Sequence, residues 1–175
     1  MEPVEINAGT YYLRQLRADD RLDDRPALVE AFTDPTHVRF VPGYLVDTPA
    51  AASGYIARRA GEWARGERCS WAVAHPVTGA LLGEVGLKKL DFDAGTAETA
   101  VWVHPAARGQ GVATTAVGAA LRFGFDALGL RTIDYLHEPD NHASAGVAKR
   151  CGFTFAGPVP ETGDVRWTRG ADDPA

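Results

Sequence analysis

Glu98-Thr-Ala-Val-Trp-Val-His-Pro-Ala-Ala-Arg-Gly-Gln-Gly-Val-Ala113 is the stretch on which the reading of this chain turns, and an apolar-periodic segment continues from it through Leu128 to Gly129. A strand, a glycine-bearing turn and a helix follow one another directly. Gly109 and Gly111 let the backbone bend sharply and bring bare amides close to a guest. The start of the next helix adds unpaired N–H groups and the positive end of its dipole. The expected guest is a phosphate or pyrophosphate. A dinucleotide-binding turn is the rival. Gly109-x-Gly111 opens such a motif, but Thr114 stands where its third glycine belongs, and the preceding strand closes a hairpin meander instead of opening a βαβ unit. A purely structural turn is the bland alternative.

Further along, Asn141-His-Ala-Ser144 precedes Ala148-Lys-Arg-Cys-Gly-Phe153. Read as a helix from Asn141 to Cys151, this segment puts positions 144, 147, 148 and 151 on one stripe, so Ser144 points inward beside Val147, Ala148 and Cys151. A buried hydroxyl then needs a partner.

Working outward, Tyr11 to Arg17 reads as a first strand, and Asp19 and Asp20 offer caps for a helical stretch through Phe32 that Pro26 breaks or restarts. Residues 33 to 48 read as a long loop and one candidate wall of a ligand pocket. Asp47-Thr-Pro49 starts a helix that runs to about Gly66. Ser70–Ala74 and Ala80–Leu87 form a hairpin about a Pro76–Gly79 turn, and the strand from Glu98 to His104 extends the meander. After the helix come strands at Thr132–His137 and Phe153–Ala156, with a last strand at Asp164–Thr168 and a frayed end from Gly170. Strand, helix, strand, helix, strand in the second half requires at least one parallel pairing. The expected fold is α/β, one domain over residues 1–175 with its core at about 10–169.

The 175 residues suit one domain, and 45% apolar with 23% charged residues is ordinary globular composition. A net charge of −5 disfavours nucleic acid and suits a cationic partner such as an amine. Cys69 and Cys151 have no metal-ligand spacing, and His104, His137 and His142 are expected as polar surface or caps, so no metal is expected. Without an apolar leader or membrane-length span, the chain is expected in the cytoplasm and away from membranes. The sequence leaves monomer and homodimer open.

Arg108-Gly-Gln-Gly-Val-Ala113 and the Asn141–Ser144 and Gly152-Phe153 block together resemble the GNAT N-acetyltransferases, and Pro105–Thr114 is most similar to the RimJ/RimL-like branch. The resemblance spans roughly residues 10 to 157. It implies a mixed, mostly antiparallel central sheet flanked by helices, and acetyl-CoA as co-substrate. Arg108, Gly109, Gln110, Gly111, Val112, Ala113 and Thr114 would hold the pyrophosphate. The backbone of Trp102 and Val103 would pair with the pantetheine arm, and Asn141 would either cap its helix or touch the cofactor. It further implies Ser144 as partner of the leaving thiol and Glu98 as proton acceptor, with Glu84 on the preceding strand as the alternative. The acceptor is expected to be a primary amine, foremost a protein or peptide N-terminus. An α-amine with pKa near 7.7–8.0 needs only about 1 kcal/mol to lose its proton at pH 7, against about 4.6 for a lysine near 10.4. A small-molecule amine and a non-catalytic coenzyme A binding module are the alternatives.

Overall fold

Period-two runs of apolar side chains pair into one sheet of eight strands. They are β1 (Ile6–Asn7), β2 (Tyr12–Arg14), β3 (Arg68–Ala74), β4 (Leu81–Asp91), β5 (Thr96–Val103), β6 (Thr132–His137), β7 (Thr154–Pro158) and β8 (Val165–Gly170). This computed structural model describes residues 1–174. The order across the sheet is β1-β2-β3-β4-β5-β6-β8-β7, and among these pairs only β5 with β6 is parallel. Five helices flank it: α1 (Arg25–Thr33), α2 (Pro35–Phe40), α3 (Pro49–Ala64), α4 (Val112–Arg122) and α5 (His142–Arg150).

Alternation along the strands divides the core. Ala116, Val117 and Ala120 of α4 join Trp71, Val85, Leu87 and Ile133 in one buried cluster, while Leu28, Phe32 and Tyr55 gather with Ala72 and Trp102 in the other. The register places Glu84 opposite Trp102, Gly86 opposite Ala100 and Lys88 opposite Glu98, so these six share a face. Arg68, Ser70 and Ala72 of β3 continue the same rows.

The parallel ladder of β5 and β6 ends at Thr99↔Tyr135, although β5 runs on to Val103 and β6 to His137. Past that pair the two strands part, and among the described residues no strand lies beside the β6-facing edge of residues 100–103. This split is the feature that positions the site.

Several expectations change. The first strand shrinks to Tyr12–Arg14, with β1 added before it. The first helix starts at Arg25, with Pro26 in its opening turn and Asp24 at the N-cap instead of Asp19 or Asp20. Asp24 does not cap with its side chain, because its carboxylate is held bidentately by Arg14 at 2.8 Å for both contacts. The supposed loop 33–48 contains α2, capped by Asp34 through His37 N–H at 3.0 Å. The long helix closes as α4 at Arg122 and widens into a π turn over Phe123–Ala127, where Gly124 packs so tightly that a Cβ would lie 2.7 Å from Ile133 Cδ1. Gly170 belongs to β8.

Candidate active site

The loop between β5 and α4 is fixed from several sides. His104 Nδ1 accepts from Ala106 N–H at 3.1 Å and starts a 3₁₀ turn at Pro105–Ala107. Gly109 and Gly111 follow with φ of 76° and 74°, a region costly for residues with a Cβ. An added Cβ at either would meet nothing within 4 Å, so the outer side of the bend is open to a guest. The Tyr11 hydroxyl donates to Gln110 C=O at 2.6 Å, and the Gln110 side chain turns back towards Ala106 C=O at 3.4 Å. Arg108 Nη2 donates to Asp34 at 2.7 Å, tying the bend to α2 and holding the Asp34 carboxyl below its usual range. Gly111, the N-cap of α4, supplies no side-chain cap, so the opening amides of that helix remain available to an anion. Arg150 of α5 adds a cation here, its Nε 3.1 Å from Thr114 Oγ1. Sequence reasoning missed Tyr11, Asp34 and Arg150, all distant from the bend along the chain.

A cavity of about 400 Å³ lies along this bend, lined by Arg108, Gly109, Gly111 to Thr114, Val101 to Val103, Asn141 and Ser144. Gln110 alone of the expected cofactor residues is not in its wall. A second cavity of about 430 Å³ lies on the other side of the split and holds Glu84, Glu98, Arg68, Lys88 and Asp164. Phe40, Val41, Val101, Trp102, Tyr135, Asn141 and Ser144 line both. Two chambers therefore meet where β5 leaves β6.

At that meeting point Asn141 Oδ1 accepts from Ser144 N–H at 3.2 Å and caps α5. The Tyr135 hydroxyl donates to Ser144 Oγ at 3.1 Å, and burial pushes the Tyr135 pKa up to about 12, which keeps its proton in place. With a lone pair of Ser144 so engaged, its own proton is free to point into the chambers. The sequence placed Tyr135 in a strand with no role of its own, and only the fold reveals its polar end.

Glu98 lies in a cleft, 8% exposed, with Lys88 Nζ at 2.7 Å and Lys89 Nζ at 2.8 Å. Strand alternation would send Lys89 to the opposite face. A positive φ of 52° and a register shift between Lys88 and Asp91 bring it round. Burial by itself would raise the Glu98 pKa, but the two lysines outweigh it and hold the carboxyl below its usual range. Glu84 is enclosed: Arg59 Nε donates at 2.7 Å, Trp102 Nε1 at 3.1 Å, and the Tyr55 hydroxyl donates as well. Asp164 lines the same chamber with no salt-bridge partner among the described residues.

Two of the histidines, His37 and His137, are buried, while His142 is exposed and His104 caps its turn. His37 packs against Phe32 and Trp102 with ring centroids at 4.2 and 5.2 Å, its Nε2 without a hydrogen bond, and burial lowers its pKa to about 4. His137 is buried too, correcting its expected surface role. Trp167 Nε1 donates to its Nε2 at 3.0 Å, so Nδ1 carries the proton and donates to Glu138 C=O at 2.7 Å. Among the described residues no group of three or more His, Cys, Asp or Glu is placed to hold a metal, and no helix is long and apolar enough to cross a membrane.

A glycine bend at a helix start thus lies beside a parallel pair that opens over two joined chambers. The chain belongs to the acetyltransferase (GNAT) domain family, whose model matches residues 12–154. Enzymes of this family are acetyl-CoA-dependent N-acetyltransferases, and the open bend and uncapped α4 start fit that donor's diphosphate. The fold is shared with RimJ of Mycobacterium smegmatis, solved with CoA-disulfide, at TM-score 0.83 and 19% identity over 97% of this chain and 88% of that one. It is shared also with a ribosomal-protein-S5-alanine acetyltransferase from Vibrio fischeri, at 0.80 and 17% over 97% and 98%. A GNAT-family acetyltransferase from Bacillus anthracis matches at 0.80 and 19% over 97% and 100%.

Proposed function

We propose that the chain moves an acetyl group directly from acetyl-CoA to a primary amine entering through the second chamber. The observation that supports this reading is the shared wall of Val101, Trp102, Tyr135, Asn141 and Ser144, across which a donor in the first chamber and an acceptor in the second would meet. In this reading the amides of residues 108 to 114 hold the diphosphate, with Asn141 fixing the start of α5 beside it. The unpaired edge at Trp102 and Val103 aligns the pantetheine arm as an added strand would. Ser144, steadied by Tyr135, donates a hydrogen bond to the departing thiolate, whose ordinary pKa near 8.5 makes full proton delivery unnecessary.

Glu98 accepts the amine's proton through water. Its lysine neighbours make it a weak base, which suits α-amines and similarly acidic amines better than lysine side chains. A protein or peptide N-terminus is thus the foremost acceptor class, in keeping with the ribosomal-protein acetyltransferase of the same fold. A small-molecule amine is the second reading, and the unpaired Asp164 in the acceptor chamber favours it by offering a second contact to a compact cation.

The test is thiol release from acetyl-CoA with a panel of peptides and small amines. Turnover with at least one amine is expected. Tight acetyl-CoA binding with no release on any of them would instead mark a coenzyme A binding module. Ser144→Ala is expected to lower kcat roughly 10- to 100-fold, the worth of one hydrogen bond to a charged group. Lys88→Met should raise the Glu98 pKa and shift the acidic limb of the pH–rate profile to higher pH. An unmoved limb would transfer the proton-accepting role to another group, and Asp164→Asn, measured alongside, identifies whether that group is Asp164.

A further inference from the structure

Arg68 lies in the acceptor chamber with its side chain 14% exposed and its guanidinium only partly engaged. Its Nε donates to Ser70 Oγ at 2.7 Å. Among the described residues its terminal nitrogens make no hydrogen bond, and the one carboxylate oxygen within ion-pair range, Glu84 Oε1, is 3.9 Å from Nη2. That carboxylate is already taken by Arg59, Tyr55 and Trp102.

The guanidinium lies against Gly86, where an added Cβ would stand 3.0 Å from Arg68 Nη2 and 3.0 Å from Ser70 Oγ, so a side chain there would make the guanidinium shift. Gly86 pairs with Ala100, the first residue of β5 beyond the last rung shared with β6. The guanidinium is therefore roughly one strand spacing, ~5 Å, from the split.

Charge points the same way. Arg59, Arg68, Lys88 and Lys89 face Glu62, Glu84 and Glu98, which leaves one positive charge over on the β3–β4 side. Asp164, without an ion-pair partner among the described residues, stands on the β8 side of the same chamber. A basic pole and an acidic pole thus bracket the place where the acceptor must sit.

The geometry points to an acceptor that carries a carboxylate or similar small anion beside its amine, with Arg68 as the group that reads the anion. A planar guanidinium with free terminal donors is suited to bidentate recognition of such a group. The inference rests on the transfer reading above and narrows its acceptor. The anion is either the α-carboxylate of a free amino acid or an acidic side chain near a peptide N-terminus, and both present the same chemistry to Arg68.

Matched acceptor pairs test it: free amino acids against their carboxamides, and peptides with Asp against Asn at the second position. For at least one pair the wild-type kcat/KM is expected to favour the carboxylate by roughly tenfold or more. The favoured pair shows which source supplies the anion. Arg68→Gln should bring that ratio to about one through a rise in KM for the carboxylate member, and Arg68→Lys should restore part of it. A wild type that treats both members of every pair alike, or an Arg68→Gln enzyme slowed equally on both, overturns the assignment. Should no amine be acetylated, the transfer reading fails, and Arg68 is judged separately by calorimetry. The N-acetylated compounds are then titrated into the protein saturated with free coenzyme A. Tighter binding of the carboxylate member, lost in Arg68→Gln, supports the subsite, and equal or absent binding overturns it.

Discussion

His37 has an aromatic ring on either side and a ring nitrogen with no hydrogen-bond partner among the described residues, so it resists protonation more strongly than it would in an unfolded chain. Its pKa falls from the usual 6.5 to about 4, chiefly through burial. Between those values the unfolded chain binds a proton that the native protein does not, so the contribution of His37 to stability is complete above pH 6.5 and is lost as pH falls through 4. The loss amounts to as much as about 3 kcal/mol. Urea midpoints measured from pH 7 to pH 4 should fall more steeply for the wild type than for His37→Phe, which keeps the ring and removes the titration. Equal slopes would mean that His37 is solvated in the native state. At this scale the sequence was informative about Ser144, whose stripe on α5 can be read from spacing alone. It was silent about Tyr135, because a tyrosine in an apolar strand looks like core until a partner for its hydroxyl is found. It was silent about Arg68 for a similar reason, since that side chain lies against a glycine in the neighbouring strand.

Among the elements, the strand, bend and helix from β5 to α4 were legible because each carries its own local signal: alternation, two glycines, then a 3.6-residue period. The second of those glycines can be tested directly. Gly111→Ala places a Cβ at φ 74°, which should lower stability by about 1–2 kcal/mol in urea unfolding without ligand. It should also weaken acetyl-CoA by about tenfold or more in calorimetry, because the methyl group projects into the open side of the bend. Lost stability with unchanged affinity would mean that the diphosphate is held elsewhere. The missed helix α2 teaches a different lesson. Asp34-Pro35 carries the same aspartate and proline helix-start chemistry that correctly flagged Asp47-Thr48-Pro49, yet a helix of six residues offers too few periods to register. Its importance lies in what Asp34 also does, clasping Arg108 from 74 residues away, and no local pattern encodes such a contact.

Across the whole molecule, the alternation of strand and helix in the second half foretold a parallel pair, but not where its ladder would stop. Tyr135, at its last rung, makes its contacts with Ser144 and Phe153 across the chain, and no local pattern encodes them. The split has a kinetic consequence. Neither thiol is available to carry the acetyl group between the chambers: burial pushes Cys69 up to about 11, and Cys151 is also raised by burial, with its sulfur against Thr114 C=O at 3.5 Å. In the direct-transfer reading, donor and acceptor are therefore bound together before the group passes. Initial-velocity lines taken at several fixed acceptor concentrations should intersect, and a parallel set would reveal an enzyme that is loaded first and unloaded afterwards.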